Sequence, residues 1–231
     1  MRSRSDRSQF RSQSWWVCAC AMAALLLALT AAGLAGESEA VVLVDFERFA
    51  DDDELRAAAP TNPNGAFVEV YLESFVAFDG TKSMRLIPIG ANGNQVWAAV
   101  TLPILVTDWS GAQMIELWMR NDGYKNQFWG MNIYEKSGEA WSLDATRDAY
   151  IETPAGDFAA VKCVANGINV PAGFEGRVRI PISTFSVPAW YAGTEKDEVL
   201  DLENIVMVRF GMNAVNNADA NVYIDAFYLL K

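Results

Sequence analysis

The sequence contains no histidine. Ser-His-Asp and Cys-His catalysis, histidine general bases and histidine-ligated zinc are therefore excluded, which leaves only carboxylate, lysine or tyrosine chemistry. Cysteine is nearly as scarce. Of the three present, Cys18 and Cys20 fall in an apolar run near the N-terminus and Cys163 stands alone beyond it, so the remainder cannot form an internal disulfide. With no histidine to activate it, Cys163 reads as a small buried hydrophobe and not as a nucleophile. Positive charge is also in short supply. The chain has 18 Lys and Arg against 29 Asp and Glu, a net charge of −11, which argues against nucleic acid and anionic membrane surfaces as partners. Internal repeats, low-complexity linkers and any long stretch of helical period are missing too.

What is present suffices for one folded domain: 231 residues, 52% of them hydrophobic and 12% aromatic. The N-terminus differs from the rest. Arg2, Arg4, Arg7 and Arg11 precede an apolar run from Trp15 to Ala35 and then a set of small residues, the signature of an export leader over residues 1–40. Cleavage after Ala35 or after Ala40 fits the small-residue rule. The apolar run is longer than an ordinary signal core, so a retained membrane anchor is the competing reading. No cysteine occupies a lipobox position. The cleaved reading predicts a secreted or periplasmic product with no membrane partner.

From Val41 onward, short β-rich stretches alternate with turn clusters, which predicts an all-β chain. Strands are expected at Val41–Glu47, Phe67–Phe75, Ser83–Pro88, Gln95–Leu102, Met114–Asn121, Phe128–Glu135, Ala140–Asp144, a stretch ending at Pro181, a stretch around Val206–Gly211, and Val222–Leu230. Asp51–Ala59 suits a short helical turn, with Asp51–Glu54 read as a solvated acidic run. In Met114–Asn121, Ile115, Leu117 and Met119 share one parity while Glu116, Trp118 and Arg120 share the other. Trp129, Met131 and Ile133 likewise oppose Asn132 and Tyr134. Val178, Ile180 and Ile182 alternate with Arg177 and Arg179, and Val206, Val208 and Phe210 oppose Met207, Arg209 and Gly211. About ten such strands predict an antiparallel two-sheet β-sandwich of the jelly-roll kind. The segment from Ser186 to Asp201, with Trp190-Tyr191, is too long for a hairpin and is either a functional loop or a surface excursion.

Three motifs in order carry a family resemblance: the opening Val44-Asp-Phe-Glu47, the middle Asp108-Trp-Ser-Gly111 and the closing Tyr223-Ile-Asp-Ala-Phe-Tyr-Leu229, with Gly80-Thr-Lys-Ser83 and Gly173–Phe185 between them. In this order the chain resembles the galactose-binding-domain-like jelly rolls, especially the family 11 carbohydrate-binding modules and the related complex I intermediate-associated protein domain. The resemblance implies a structural calcium where the first and last strands meet, with Glu47 and Asp225 as ligands, Asp45 as a weaker one and the Lys82 carbonyl as a backbone contributor. Ca²⁺ takes about 6 to 8 oxygen ligands, and carboxylates and carbonyls supply them. Read without the resemblance, these are strand-end acids facing water.

The resemblance also implies a polysaccharide or glycan partner bound on a concave sheet face, without catalysis. A sugar is amphipathic, so its binder needs aromatic faces and hydrogen-bonding side chains on one wet surface. Strand parity offers such a set: Glu116, Trp118, Arg120, Asn132, Tyr134, Arg179 and Arg209. The plain alternative pairs the arginines with Glu116 and Asp144 on an idle sheet. Trp97, Trp109 and Trp129 read as core, and Trp190 and Tyr191 either form a rim platform or merely anchor their loop. Two further functions compete: a structural or adhesive extracellular protein with protein partners, and a glycosidase or lyase using two carboxylates, for which only Glu116 and Asp144 stand near the presumed groove.

Overall fold

The computed structural model describes residues 39–61, 67–90, 97–194, 197–213 and 221–231; the leader read over residues 1–40 lies outside them except for its last two positions. The unit Glu39–Lys231 begins with β1 (Ala40–Val44) and the short helix α1 (Asp52–Ala58). Asp51 caps this helix by accepting from the N–H groups of Asp53 and Glu54, and Glu54 reaches back to the Ala50 N–H at 2.6 Å. The acids of the Asp51–Glu54 run thus satisfy donors that a helix start leaves orphaned. Leu55 is fully buried beneath the run.

Thirteen more strands follow: β2 (Phe67–Glu73), β3 (Ser83–Gly90), β4 (Trp97–Leu102), β5 (Met114–Asn121), β6 (Gln127–Glu135), β7 (Ala140–Leu143), β8 (Asp148–Glu152), β9 (Phe158–Lys162), β10 (Gly167–Val170), β11 (Glu175–Pro181), β12 (Phe185–Ser186), β13 (Ile205–Asn213) and β14 (Val222–Leu230). They pair antiparallel in two sheets. The larger runs β2-β3-β14-β5-β11-β8-β9, with β1 also on β14; the smaller runs β12-β7-β6-β13-β4, with β10 also on β6. This is the all-β sandwich that the alternation predicts. Strands β8 to β10 escape a sequence reading because β9, on the sheet edge, exposes most of its small residues and buries no clear apolar phase.

The core lies between the sheets and is built by the inward parity of each strand. Ile115, Leu117 and Met119 of β5, Met131 and Ile133 of β6, and Val178 and Ile180 of β11 are all fully buried. Each such side chain contributes roughly 1.5–3 kcal/mol of transfer free energy. Trp109 and Trp129 belong to this core, as expected, and Trp129 stacks on Phe210 at 4.9 Å. Cys163 is buried too, and loss of solvation pushes its thiol up to about 11, so it is protonated and inert at neutral pH.

The expected parity of β13 needs one correction. Val206 is half exposed while Ile205 is fully buried, because the register against β6 shifts between Ile205 and Met207. A bulge adds one residue and flips everything before it. Val208 and Phe210, beyond the bulge, point inward as the alternation predicts. Among the described residues, no helix is long and apolar enough to cross a membrane.

Candidate functional site

The seven residues that share outward parity do not share a face. Glu116, Trp118 and Arg120 stand on β5 and Arg179 on β11, both in the larger sheet, whereas Asn132 and Tyr134 stand on β6 and Arg209 on β13, in the smaller one. Alternation along a strand fixes in against out, but two sheets have two outsides. The expected single surface is therefore two surfaces on opposite sides of the sandwich.

On the larger sheet the polar groups satisfy one another. The Arg179 guanidinium donates to Glu116 at 2.6 Å across the β5–β11 register and lies 3.9 Å over the Phe158 ring. Arg120 pairs with Asp122 at 2.6 Å and Glu175 at 3.7 Å, and Arg177 with Glu152 at 2.7 Å. Its hydrogen bonds to Glu152 outweigh burial and hold that carboxyl below the usual carboxylate range. Trp118 is only 3% exposed, stacked under Phe78 at 5.9 Å and packed against Tyr223 and Ala226. It is not available to a ligand.

The smaller sheet is different. A groove of about 400 Å³ opens on its outer face, lined by Trp97, Ala99, Asn132, Tyr134, Ala165, Asn166, Trp190 and Arg209. Asn132 and Arg209 are direct cross-strand partners, and Tyr134 lies two pairs along the ladder, on the same face and opposite Met207. The Arg209 guanidinium donates to the Tyr134 hydroxyl at 3.3 Å and sits 5.1 Å over its ring. Asn166 reaches the groove from the turn before β10, in the left-handed conformation, and accepts a hydrogen bond from Ser142 at 3.3 Å.

Trp97 is the residue that a core assignment misplaces. The indole lies across two neighbouring strands, over Gly211 of β13 and Gly130 of β6, which are themselves register partners. A Cβ on Gly211 would come within 2.4 Å of the ring, and one on Gly130 within 3.1 Å. At Gly211 only glycine lets the ring approach the backbone so closely, whereas at Gly130 a Cβ would first strike the Asn166 carbonyl, at 2.3 Å. Phe128 braces its edge at 5.9 Å. The sequence signal was present, as two glycines at matched positions of alternating strands, but it is legible only once the β6–β13 register is known. From the other side Trp190, 49% exposed, brings a second aromatic to the rim. The turn Pro188–Tyr191 holds it there through a backbone hydrogen bond of 3.0 Å.

Glu47, Asp225, Asp45 and Lys82 do meet where β1 and β14 run together. Asp45, Glu47, Asp79 and Asp225 line one pocket of about 240 Å³. Their oxygens are, however, engaged by N–H and O–H donors, the Tyr228 hydroxyl on Asp79 and the Thr81 hydroxyl on Glu47 among them. Glu47 Oε1 accepts from the backbone N–H of Thr81 at 2.6 Å and of Lys82 at 2.5 Å, and Gly80 must be glycine because a Cβ there would strike that carboxylate. Asp225 accepts from Phe78, Asp79 and Ala226, and Asp45 from the Glu47 N–H. Burial raises the Asp225 pKa, outweighing these three N–H groups; at Glu47 burial also acts upward, but the bonds from Thr81 and Lys82 win and the pKa falls. The Lys82 ammonium donates to the Phe49 and Glu47 carbonyls at 2.5 and 3.3 Å. Among the described residues no three carboxylates are placed to hold one metal ion. So arranged, the corner does not fit a calcium site of 6 to 8 oxygens; it is a loop anchor.

The two acids expected near a groove, Glu116 and Asp144, are both engaged by neighbours. Glu116 is held by Arg179, and Asp144 accepts from the N–H and hydroxyl of Thr146 at 2.8 Å. Glu139, at the β6–β7 hairpin, is 1% exposed and its Oε1 has no partner among the described residues. Burial drives its pKa up despite hydrogen bonds from the Asp197 and Glu198 backbone.

No protein-family profile and no curated protein sequence matches the chain. Solved structures do. The family 11 carbohydrate-binding module of the cellulosomal cellulase Lic26A-Cel5E of Clostridium thermocellum aligns with a TM-score of 0.52 at 16% identity, over 84% of this chain and 95% of that one. The family 11 module from Clostridium thermocellum in complex with a β-1,3-1,4-mixed-linked tetrasaccharide aligns at 0.51 and 16% identity, over 82% and 94%. The solution structure of CtCBM11 aligns at 0.54 and 20% identity, over 85% and 98%. Glu39–Lys231 thus has the jelly-roll fold of the family 11 carbohydrate-binding modules.

Proposed function

We propose that the chain is an exported, non-catalytic glycan-binding module whose ligand lies in the groove of the smaller sheet. The observation that carries this reading is Trp97, laid flat over a paired Gly130 and Gly211 beside Tyr134, Asn132 and Arg209 in an open groove. An aromatic ring half-buried on a glycine floor has one face supported and the other available, which is the geometry that stacks on the C–H face of a sugar. Asn132, Asn166 and Arg209 surround it with hydrogen-bonding groups for hydroxyls. The shared fold supports the reading, since one of the similar modules is described in complex with a tetrasaccharide. Glycoside hydrolysis requires two carboxyl groups flanking the bond, and the described residues of the groove lining include none.

The test is a glycan-array screen of the purified chain, with Trp97→Ala and Trp118→Ala in parallel. Binding that disappears with Trp97→Ala, and survives in a folded variant altered only on the larger sheet, is the expected result. A chain that binds no glycan but captures a protein partner establishes the structural or adhesive function instead. Export is tested separately, by finding the chain outside the cytoplasm with its N-terminus cut after Ala35 or Ala40.

A further inference from the structure

The arginines of the larger sheet all meet carboxylates: Arg85 with Glu73, Arg120 with Asp122, Arg177 with Glu152 and Arg179 with Glu116. Arg209 does not. Among the described residues its one side-chain hydrogen bond goes to the Tyr134 hydroxyl at a long 3.3 Å, and no acid lies within ion-pair distance of it. A guanidinium offers five N–H groups in a planar fork matched to an oxyanion, so most of its capacity is left unused by the described residues.

The surroundings reinforce the point. Among the described residues no acid lines the groove, although the chain as a whole carries a net charge of −11. The Asn166 side-chain oxygen already accepts from Ser142, which leaves one lone pair beside the two N–H donors of its amide. Tyr134 accepts from Arg209 and retains its own O–H to donate. The groove is therefore rich in donors and poor in strong acceptors. A neutral sugar hydroxyl donates as readily as it accepts and gains from carboxylate acceptors; an anionic substituent only accepts.

We propose that the groove recognises an anionic glycan, one bearing a carboxylate or sulfate group, with Arg209 as the partner of that group and Trp97 and Trp190 stacking on neighbouring sugar faces. This rests on the glycan-binding reading above. The acidic body of the protein sharpens the selectivity. A polyanion is repelled over most of the surface, so it is held only where its charge seats at Arg209.

The experiment measures binding of the purified chain to two panels of soluble polymers. Polygalacturonate and alginate carry carboxylates and carrageenan carries sulfate; mixed-linkage β-glucan, unsubstituted xylan and galactomannan are neutral. At least one acidic polymer is expected to bind more tightly than any neutral one, and the two kinds of acid separate uronate from sulfate recognition. Arg209→Gln is expected to weaken that binding about tenfold, as loss of a charge-assisted hydrogen bond does. Arg209→Lys, which keeps the charge and loses the fork, is expected to fall between, and thermal unfolding of both variants verifies that they are folded. Binding confined to the neutral panel, or acidic binding indifferent to Arg209→Gln in a folded variant, overturns the inference and leaves the glycan reading standing. Failure of both panels to bind overturns the two together.

Discussion

The two outer faces of the sandwich are built from the same side chains and do opposite things. Each has arginine, tyrosine and tryptophan at outward parity on adjacent strands. On the larger sheet Arg179, Arg177 and Arg120 each meet a carboxylate, and Trp118 is roofed by Phe78. On the smaller sheet Arg209 has, among the described residues, only a tyrosine, and Trp97 lies half-buried over glycine. Composition does not separate these faces. What separates them is the presence of acids and covering rings within reach. A polar set that satisfies itself stabilises the fold, and one left unsatisfied is free to bind.

Several substitutions bear on that contrast. The largest effect is expected from Trp118→Ala, which empties a buried site and should cost about 3–5 kcal/mol in chemical denaturation; Trp97→Ala, on the open face, should cost far less. Equal costs would remove the distinction between the faces. Next, Gly211→Ala puts a methyl 2.4 Å from the Trp97 ring. It should lift the indole, cost about 1–3 kcal/mol and reduce glycan binding together with it, and a variant that binds normally would show that the flat ring is not the platform.

Arg179→Gln leaves the Glu116 carboxylate, which is largely buried, without its partner and should destabilise by about 1–3 kcal/mol, whereas Arg209→Gln should stay within about 0.5 kcal/mol. The same denaturation series reads both. Glu139→Gln should instead raise stability at neutral pH by about 1 kcal/mol, because the charged form is the one that burial penalises.

The smallest effects are in solution conditions. The Glu152 carboxyl is held low by Arg177. Its contribution is fully present above the ordinary carboxylate pKa of about 4.3 and is lost as pH falls through the lowered folded value. Glu139 has the opposite sign, its raised folded value making stability decline as pH rises through the window above that ordinary pKa. Thermal melts of Glu152→Gln and Glu139→Gln from pH 3 to 7 should therefore change slope in opposite directions. Melts with EDTA and with added calcium should coincide, since the Glu47 and Asp225 oxygens are already engaged by N–H groups. A large fall in Tm with EDTA would restore a metal to that corner.

Much of the fold was legible in the sequence. The bounds of β5 and β14 match the expected strands, and the buried phases of β5, β6 and β11 follow from two-residue alternation in the chain itself. The missing histidine and the lone Cys163 limited the chemistry before any coordinates were known. Asn132, Tyr134 and Arg209 were legible as groove residues for the same reason, since parity is a local property. Sheet membership is not local. Whether Trp118 and Arg179 share a face with Tyr134 depends on which strands pair across more than 60 residues of sequence, and the β13 bulge that exposes Val206 is likewise fixed by the partner strand. Trp97 shows the difference most clearly. An aromatic at the start of an apolar strand suits the core, and only the register that sets Gly211 against Gly130 provides a flat floor that holds its ring on the outside. Alternation along each strand determined most of the side chains that leave the core; the pairing of distant strands decided the exceptions, Val206 and Trp97, and which outward residues meet, because hydrogen-bonded register is settled by the whole sheet and not by any one strand.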